Sequence, residues 1–285
     1  MSLKEFHQNI IDYYHSTENS YIDGWDLNNS YAMHYGYWDF KVSSFPESLQ
    51  RMNEMMMETV QINSNDHVLD SGCGIGGTSI FIAQRTNCKV FGISLSKRQI
   101  EKAQQLAKLK AVDTLCTFEV QDFCSTSFPN AHFDVVLACE SVCHAYNKKQ
   151  FIEEAFRVLK PGGRLIIVDG FVNNFENNNH PFIKKWLEGW HVNFLESPQR
   201  MKVFLEEFKF DDIQFRDISE FTFHSAKRLN MIYYFASIYL FWKALPFSKK
   251  ASNLQKKNIK ASRYQYLGLK KGLWGHGCLT AKKIK

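Results

Sequence analysis

The chain has 285 residues, 45% of them hydrophobic, and carries a formal net charge of +6. That length and apolar content suffice for a sizeable core, while no uncharged apolar run approaches the ~18 residues that a membrane span needs. Seven scattered cysteines, with no C-x-x-C pair and no framework spacing, exclude a zinc ribbon or a disulfide scaffold and predict reduced, mostly buried thiols.

Met1–Asn9 carries Lys, Glu and His with no apolar stretch behind it, so a cytoplasmic protein without a secretory leader is expected. Residues 1–58 read as a helical, aromatic-rich cap: "FHQNIIDYYHSTENSYIDGW" first, then "FPESLQRMNEMMMETV", with Pro46 suited to a first helical turn. A polar-aromatic loop, "YAMHYGYWDF", joins them from Tyr31 to Phe40. From Asp66 short apolar strands alternate with amphipathic helices: "HVLDSG", "TSIFIAQRT", "KVFGISL", "KRQIEKAQQLAKLKA", "CTFEVQDF", "FDVVLAC", "KKQFIEEAFRVLK" and "GRLIIVDG". This alternation predicts a parallel sheet with helices on both faces, an α/β core over residues 59–170. Within it, "KPGGR" at 160–164 predicts a helix stop and a tight turn into the next strand.

Residues 171–285 are expected to add a helical cap insertion, a basic segment and, at "GCLTAKK", a final edge strand, all within one integrated domain. Lys243–Lys285 holds twelve Lys or Arg and no acid, which leaves 23 basic against 29 acidic residues elsewhere, a net of −6. Such a segment suits an anionic membrane surface, a diphosphate or plain solvation. Nucleic acid is not expected as a partner, because no RNP, helix-turn-helix or zinc signature accompanies the charge.

The chemistry concentrates at "VLDSGCGIGGTS", 68–79, where a strand, Gly72, Gly74, Gly76, Gly77 and a helix start follow in order. Glycines let the backbone pass close to a ligand, and the new helix offers free N–H groups. A tight strand-to-helix turn with no ligand remains the plain alternative. Asp70, two residues before the first glycine, would sit oddly beside a pyrophosphate but well beside a cationic amino-acid group. A dinucleotide site would also place an acid at the tip of the second strand about 20 residues on; here Ser94, Leu95 and Ser96 stand instead.

The motifs "VLDSGCGIGG", "GISLSKRQIEKA", "VQDFCSTSFPNAHFDVV" and "RVLKPGGRL" together resemble the class I S-adenosylmethionine-dependent methyltransferases over Asp66–Gly170. The finer resemblance is to the branch of sterol C-methyltransferases, γ-tocopherol methyltransferases and cyclopropane fatty acid synthases. It implies a Rossmann-like, doubly wound, mostly parallel seven-stranded sheet with helical N-terminal and inserted cap segments. It also implies S-adenosyl-L-methionine as cofactor. By the same carry-over Gln99 replaces the missing acid at the ribose, Ser94 and Leu95 line that pocket, Asp122 accepts from the adenine amino group and Phe123 packs on the ring. Gly72 and Gly74 face the methionine portion, and Cys139 contributes backbone.

"LACESVCHAYNKKQF" places Glu140 just past the tip of the fourth strand and His144 four residues on. "ESVCHA" resembles the corresponding text of sterol methyltransferases, which makes Glu140 the candidate base or cation stabiliser and His144 its partner; a histidine bonded only within its own loop is the alternative. The resemblance makes Tyr14, Tyr21, Trp25, His34, Tyr35 and Trp38 candidates for a lid over the substrate, and aromatic faces attract cations by about 0.5–2 kcal/mol each. Aromatic residues form 15% of the chain and crowd the two regions that would make the roof, which favours a small lipophilic substrate. C-methylation of an isoprenoid or sterol-like alkene, with a prenyl diphosphate as one form of substrate, stands first. Methylation of a phenol or quinol ring stands second, and a non-catalytic cofactor- or nucleic-acid-binding role is remote. No metal is expected.

Overall fold

The computed structural model describes residues 1–25, 27–243 and 253–284; of the basic segment, 244–252 and residue 285 therefore lie outside the described residues. The N-terminal region forms α1 (Leu3–Trp25), the short α2 (Leu27–Ser30) and α3 (Phe45–Val60). Pro46 stands in the first turn of α3, and a reciprocal pair closes that helix start: Ser44 accepts from the Glu47 N–H while the Glu47 carboxylate accepts from the Ser44 N–H. The alternating region yields β1 (His67–Ser71), α4 (Gly77–Thr86), β2 (Lys89–Ser94), α5 (Lys97–Leu109), β3 (Cys116–Val120), β4 (Phe133–Cys139), α6 (Lys148–Val158) and β5 (Leu159–Val172). There follow α7 (Pro181–Trp190), α8 (Pro198–Glu207), β6 (Phe210–Asp217), α9 (Ser219–Lys243), α10 (Asn253–Lys270) and β7 (Trp274–Lys283).

The seven strands form one sheet in the order β3-β2-β1-β4-β5-β7-β6. The β1–β2, β2–β3, β1–β4 and β4–β5 pairs are parallel, and β7 runs antiparallel to β5 and β6. Chain order reverses at β1, so helical crossovers cover both faces and a crevice opens at the carboxyl ends of β1 and β4. The predicted doubly wound, mostly parallel seven-stranded fold is the one observed.

Two details differ from the sequence reading. The final strand is not an edge strand, because β7 lies between β5 and β6. The true edge, β6, lay unseen inside text read as helical: "FDDIQFRD" exposes most of its side chains, the charged habit of a protected sheet edge, and so lacks the apolar alternation that reveals a strand. At "KPGGR" the helix does stop, at Val158, but the turn is absorbed into β5 as a register shift between Leu159 and Arg164 opposite β4, with Gly162 at φ 78°.

One apolar cluster packs α3, α4 and α5 on one face of the sheet, through Met52, Met56, Ile82 and Ala103 against Val68, Val90 and Val135. Thus α3 belongs to the core, while α1 and α2 are the parts of the N-terminal region that reach over the crevice. A second cluster holds α6 and α8 on the other face, and a third, around Tyr35, Trp186 and Trp274, lies beneath α7 and α10.

Candidate functional site

At the tip of β1 the chain turns through Gly72, Gly74 and Gly76 at φ 92°, 54° and 85°, conformations that side-chain-bearing residues disfavour. The Gly72 and Cys73 N–H groups donate to the Ile93 carbonyl at 3.0 and 2.9 Å, tying the loop to the end of β2. A Cβ on Gly72 would stand 2.4 Å from Ser141 Cβ, and one on Gly77 would stand 2.0 Å from the Tyr31 carbonyl oxygen. The loop is therefore closed by β4's exit on one side and by the N-terminal segment on the other.

The cavity beside it is lined by Asp70, Gly72, Gly74, Ser94, Leu95, Gln99, Phe123, Cys139, Glu140 and His144, with Tyr14, Met33 and His34 from the N-terminal region. Asp70 is buried and accepts from Ser79 Oγ at 2.5 Å; loss of hydration raises its carboxyl to about 6, against the hydroxyl's opposing pull. Ser94 Oγ donates to Gln99 Oε1 at 2.8 Å, and Ser96 caps α5 by accepting from the Gln99 N–H, so local geometry pins Gln99 at the rim. Asp122 is not among the lining residues. Its Oδ1 accepts from the Cys124 N–H at 2.8 Å and its Oδ2 lies 3.5 Å from His7 Nε2, in a smaller pocket under α1.

A second, aromatic cavity joins the first through Tyr14, Met33, Glu140 and His144. Tyr21, Trp25, Tyr35, Trp186, Trp190 and Trp274 line it, together with Asp169 and His276, and among the described residues no Lys or Arg lines it. Of the candidate lid residues, Tyr14, Tyr21, Trp25, His34 and Tyr35 reach one cavity or the other. Trp38 reaches neither; its indole donates to Ser225 Oγ at 3.2 Å and its ring packs on His224.

Glu140 occupies the junction. It holds φ 50°, a strained conformation for a non-glycine residue, while its own N–H donates to the Val168 carbonyl at 2.7 Å. Its Oε1 accepts from the Tyr35 N–H at 2.6 Å and lies 3.4 Å from His276 Nε2. Burial raises its carboxyl well above the usual range, and the Asp169 charge adds to this against the Tyr35 N–H. Asp169 accepts from the Cys143 and Gly170 N–H groups, both at 2.8 Å, and so anchors the 3-10 turn Val142–His144. His144 Nε2 then lies 3.0 Å from Tyr14 Oη, and burial, helped by the Lys148 charge, lowers that imidazole to about 4. Lys148 itself is buried, its Nζ donating to the Cys143 and Ala145 carbonyls at 3.0 and 2.9 Å.

Asp169, Trp186, Trp190, Trp274 and His276 were missed by sequence reasoning. "VDG" at the end of β5 was the one available signal, since an acid at a strand's carboxyl tip faces the crevice. Among the described residues, no group of three or more His, Cys, Asp or Glu side chains is placed to hold a metal ion.

A pH dependence follows from His276, which is buried, lacks a hydrogen-bond partner at either ring nitrogen among the described residues, and is lowered by burial to about 3. Below pH 6.5 the unfolded chain takes up a proton that the folded chain refuses. Stability present above pH 6.5 is therefore lost as pH falls towards 3. Denaturant titrations of His276→Asn should show a shallower acid slope, less steep by ~2 kcal/mol between pH 6.5 and about 4.5, whatever its baseline. A parent-like slope would mean that the ring is already charged in the fold.

Comparison with known proteins places this geometry. A family model described as "Methyltransferase domain" matches residues 62–227, more than half of the chain. The 27-O-demethylrifamycin SV methyltransferase of Amycolatopsis mediterranei (strain S699) is 37% identical over 137 residues, 48% of this chain and 50% of that protein. A sterol 24-C-methyltransferase of Kluyveromyces lactis is 30% identical over 183 residues, 64% of this chain and 48% of its own length. The matches thus span about half the length of these curated relatives. The geranyl diphosphate C-methyltransferase from Streptomyces coelicolor A3(2), solved with Mg2+, geranyl diphosphate and S-adenosyl-L-homocysteine, superposes with a TM-score of 0.73 at 17% identity. That superposition covers 98% of each chain and shows a shared fold.

Proposed function

The chain belongs to the methyltransferase-domain family, and from that premise we propose that it transfers a methyl group from S-adenosyl-L-methionine to carbon in a small lipophilic alkene of the isoprenoid or sterol-like class. The observation that carries this reading is the aromatic cavity, lined among the described residues by no Lys or Arg, which meets the glycine-loop cavity at the buried carboxyl of Glu140.

The first cavity fits the cofactor. Among the described residues a Cβ on Gly74 would meet only Met33 Sδ, at 3.5 Å, so the missing side chain leaves open space at the loop. Asp70 and the Gly72–Gly74 backbone would hold the amino-acid portion, Gln99 and Ser94 the ribose, and Phe123 the adenine. Asp122, already satisfied by Cys124 and His7, would hold the loop that presents Phe123. S-adenosylmethionine, when bound, supplies a methyl group on a positively charged sulfur.

The remaining work falls to side chains of the second cavity. Tyr21, Trp25 and Trp190 present aromatic faces that exclude water and attract positive charge as it develops on the substrate. Burial biases the Glu140 carboxyl towards its neutral form, and a neighbouring cation would pull it towards the charged form. It can then stabilise that cation and accept its proton. The aromatic cavity favours an uncharged acceptor. A diphosphate head would instead have to lie in the adjoining space near His15, Lys97, Arg98 and Lys102, where Glu18 already pairs with Arg98 and Lys102.

One observation favours a second reading, methylation at a phenol or quinol ring: His144, neutral above about pH 4 and 3.0 Å from Tyr14 Oη, is a ready base for a hydroxyl proton. Incubation with methyl-labelled cofactor and a panel of sterols, prenyl diphosphates and quinols, read by product mass and NMR, separates the two. Label on a former alkene carbon is expected. Label on oxygen or on an aromatic ring would favour the second reading, and no transfer to any member would count against both.

A further inference from the structure

Met231, Tyr234, Phe235 and Ile238 are 51, 50, 68 and 57% exposed, and their spacing of three, one and three sets them on one face of α9. Earlier in the same helix Thr222, Ser225, Ala226 and Leu229 are buried, so α9 packs one face and leaves an apolar stripe on another. Cations flank the stripe. The Arg263 guanidinium of α10 stands 5.4 Å from the ring centres of both Tyr233 and Tyr234, holding α10 beside α9. Lys256 and Lys260 of α10 are exposed, while the exposed Lys257 pairs with Glu188 of α7 at 2.7 Å. In the sequence no Asp or Glu follows Glu220, whereas residues 221–285 contain fourteen Lys or Arg.

We propose that this α9–α10 surface docks the protein on an anionic lipid bilayer, the apolar stripe entering the headgroup boundary and the α10 lysines meeting lipid phosphates. Scattered apolar residues need no partner, but four neighbouring ones on one helix face, beside a second helix that carries exposed cations, suit the boundary between headgroups and acyl chains. A second copy is the poorer occupant, because it would bring the same cations against these, and Lys is depleted in protein interfaces. Among the described residues no helix is long and apolar enough to cross a membrane, which leaves docking on the surface. The same α10 backs two walls of the aromatic cavity: Gln265 Oε1 accepts from Tyr35 Oη at 3.0 Å and the Gln265 carbonyl accepts from the Trp274 indole at 2.8 Å. A lipophilic substrate dissolved in the bilayer would thus lie close to the helix that packs behind its site.

The test is co-sedimentation of the full chain with vesicles of phosphatidylcholine alone and of phosphatidylcholine with one-third phosphatidylglycerol, at low and high salt. The parent should bind the anionic vesicles about tenfold or more tightly than the neutral ones and lose that preference in high salt. Phe235→Ser/Ile238→Ser and Lys256→Gln/Lys260→Gln should each weaken binding about tenfold or more while melting temperature and cofactor affinity stay at parent values. Absence of vesicle binding, indifference to lipid charge, or binding that survives Phe235→Ser/Ile238→Ser would overturn the proposal. So would a dimer abolished by Phe235→Ser/Ile238→Ser, which would assign the stripe to a second copy. Vesicle binding is read without cofactor or substrate, so its failure leaves the reading of the aromatic cavity where it stands.

Discussion

The Glu140→Gln protein is expected to bind S-adenosylmethionine within about threefold of the parent and to turn over ~10²-fold or more slowly, the usual cost of losing a positioned base. The amide keeps the size of the side chain and an oxygen that can accept from the Tyr35 N–H, so the strained backbone at φ 50° and the β4 exit keep their support. Binding survives because the cofactor cavity is built mainly from the glycine loop, Ser94 and Gln99, and because burial already biases the free carboxyl towards its neutral form. Turnover falls because an amide cannot ionise as positive charge develops beside it, and interactions realised only at that moment set the rate. Calorimetry and single-turnover assays read the two effects separately. Near-parental turnover with the same product would remove Glu140 from the chemistry and move the weight to His144 and a hydroxyl acceptor.

What the sequence shows of this site depends on how locally each part is specified. The glycine loop is legible because positive φ at Gly72, Gly74 and Gly76 demands a residue without a side chain, and because Gln99 follows a capping serine in an unbroken strand–turn–helix. Glu140 is legible because an acid directly after the apolar run "FDVVLAC" must emerge at the strand tip. The back of the aromatic cavity carries no such signal. Trp186 and Trp190 come from α7, whereas Trp274 and His276 come from β7. They meet Tyr35 only because β7 inserts between β5 and β6 and because α7 packs so closely on α10 that a Cβ on Gly189 would stand 2.5 Å from the Lys257 carbonyl oxygen. A strand read as the edge of the sheet cannot be seen to deliver a tryptophan and a histidine to its interior. Trp38 errs the other way: His34 and Tyr35 of the same "HYGYW" reach the cavities, but the Trp38 N–H is bound to the Phe221 carbonyl, and the indole turns towards α9.

The Gly74→Val protein should fold and yet bind S-adenosylmethionine at least tenfold more weakly, a loss of ~1.4 kcal/mol or more. Among the described residues a Cβ at this position would find only Met33 Sδ within 4 Å, and Met33 itself lines the glycine-loop cavity, so the added branches enter space meant for a ligand and leave the protein's own packing intact. The substitution also forces a β-branched residue to φ 54°, at a cost of roughly 1–2 kcal/mol in stability. Gly272→Val supplies the control. Gly272 sits at φ 65° with no described residue within 4 Å of its would-be Cβ and lines neither cavity, so it carries similar backbone strain without obstructing the ligand. Both variants should melt a few degrees below the parent, and only Gly74→Val should lose affinity in calorimetric titration. Equal affinity in the two would mean that the cofactor does not approach the loop at Gly74. The open space beside that glycine would then need another occupant, and Asp70, Ser94 and Gln99 another explanation for facing one cavity.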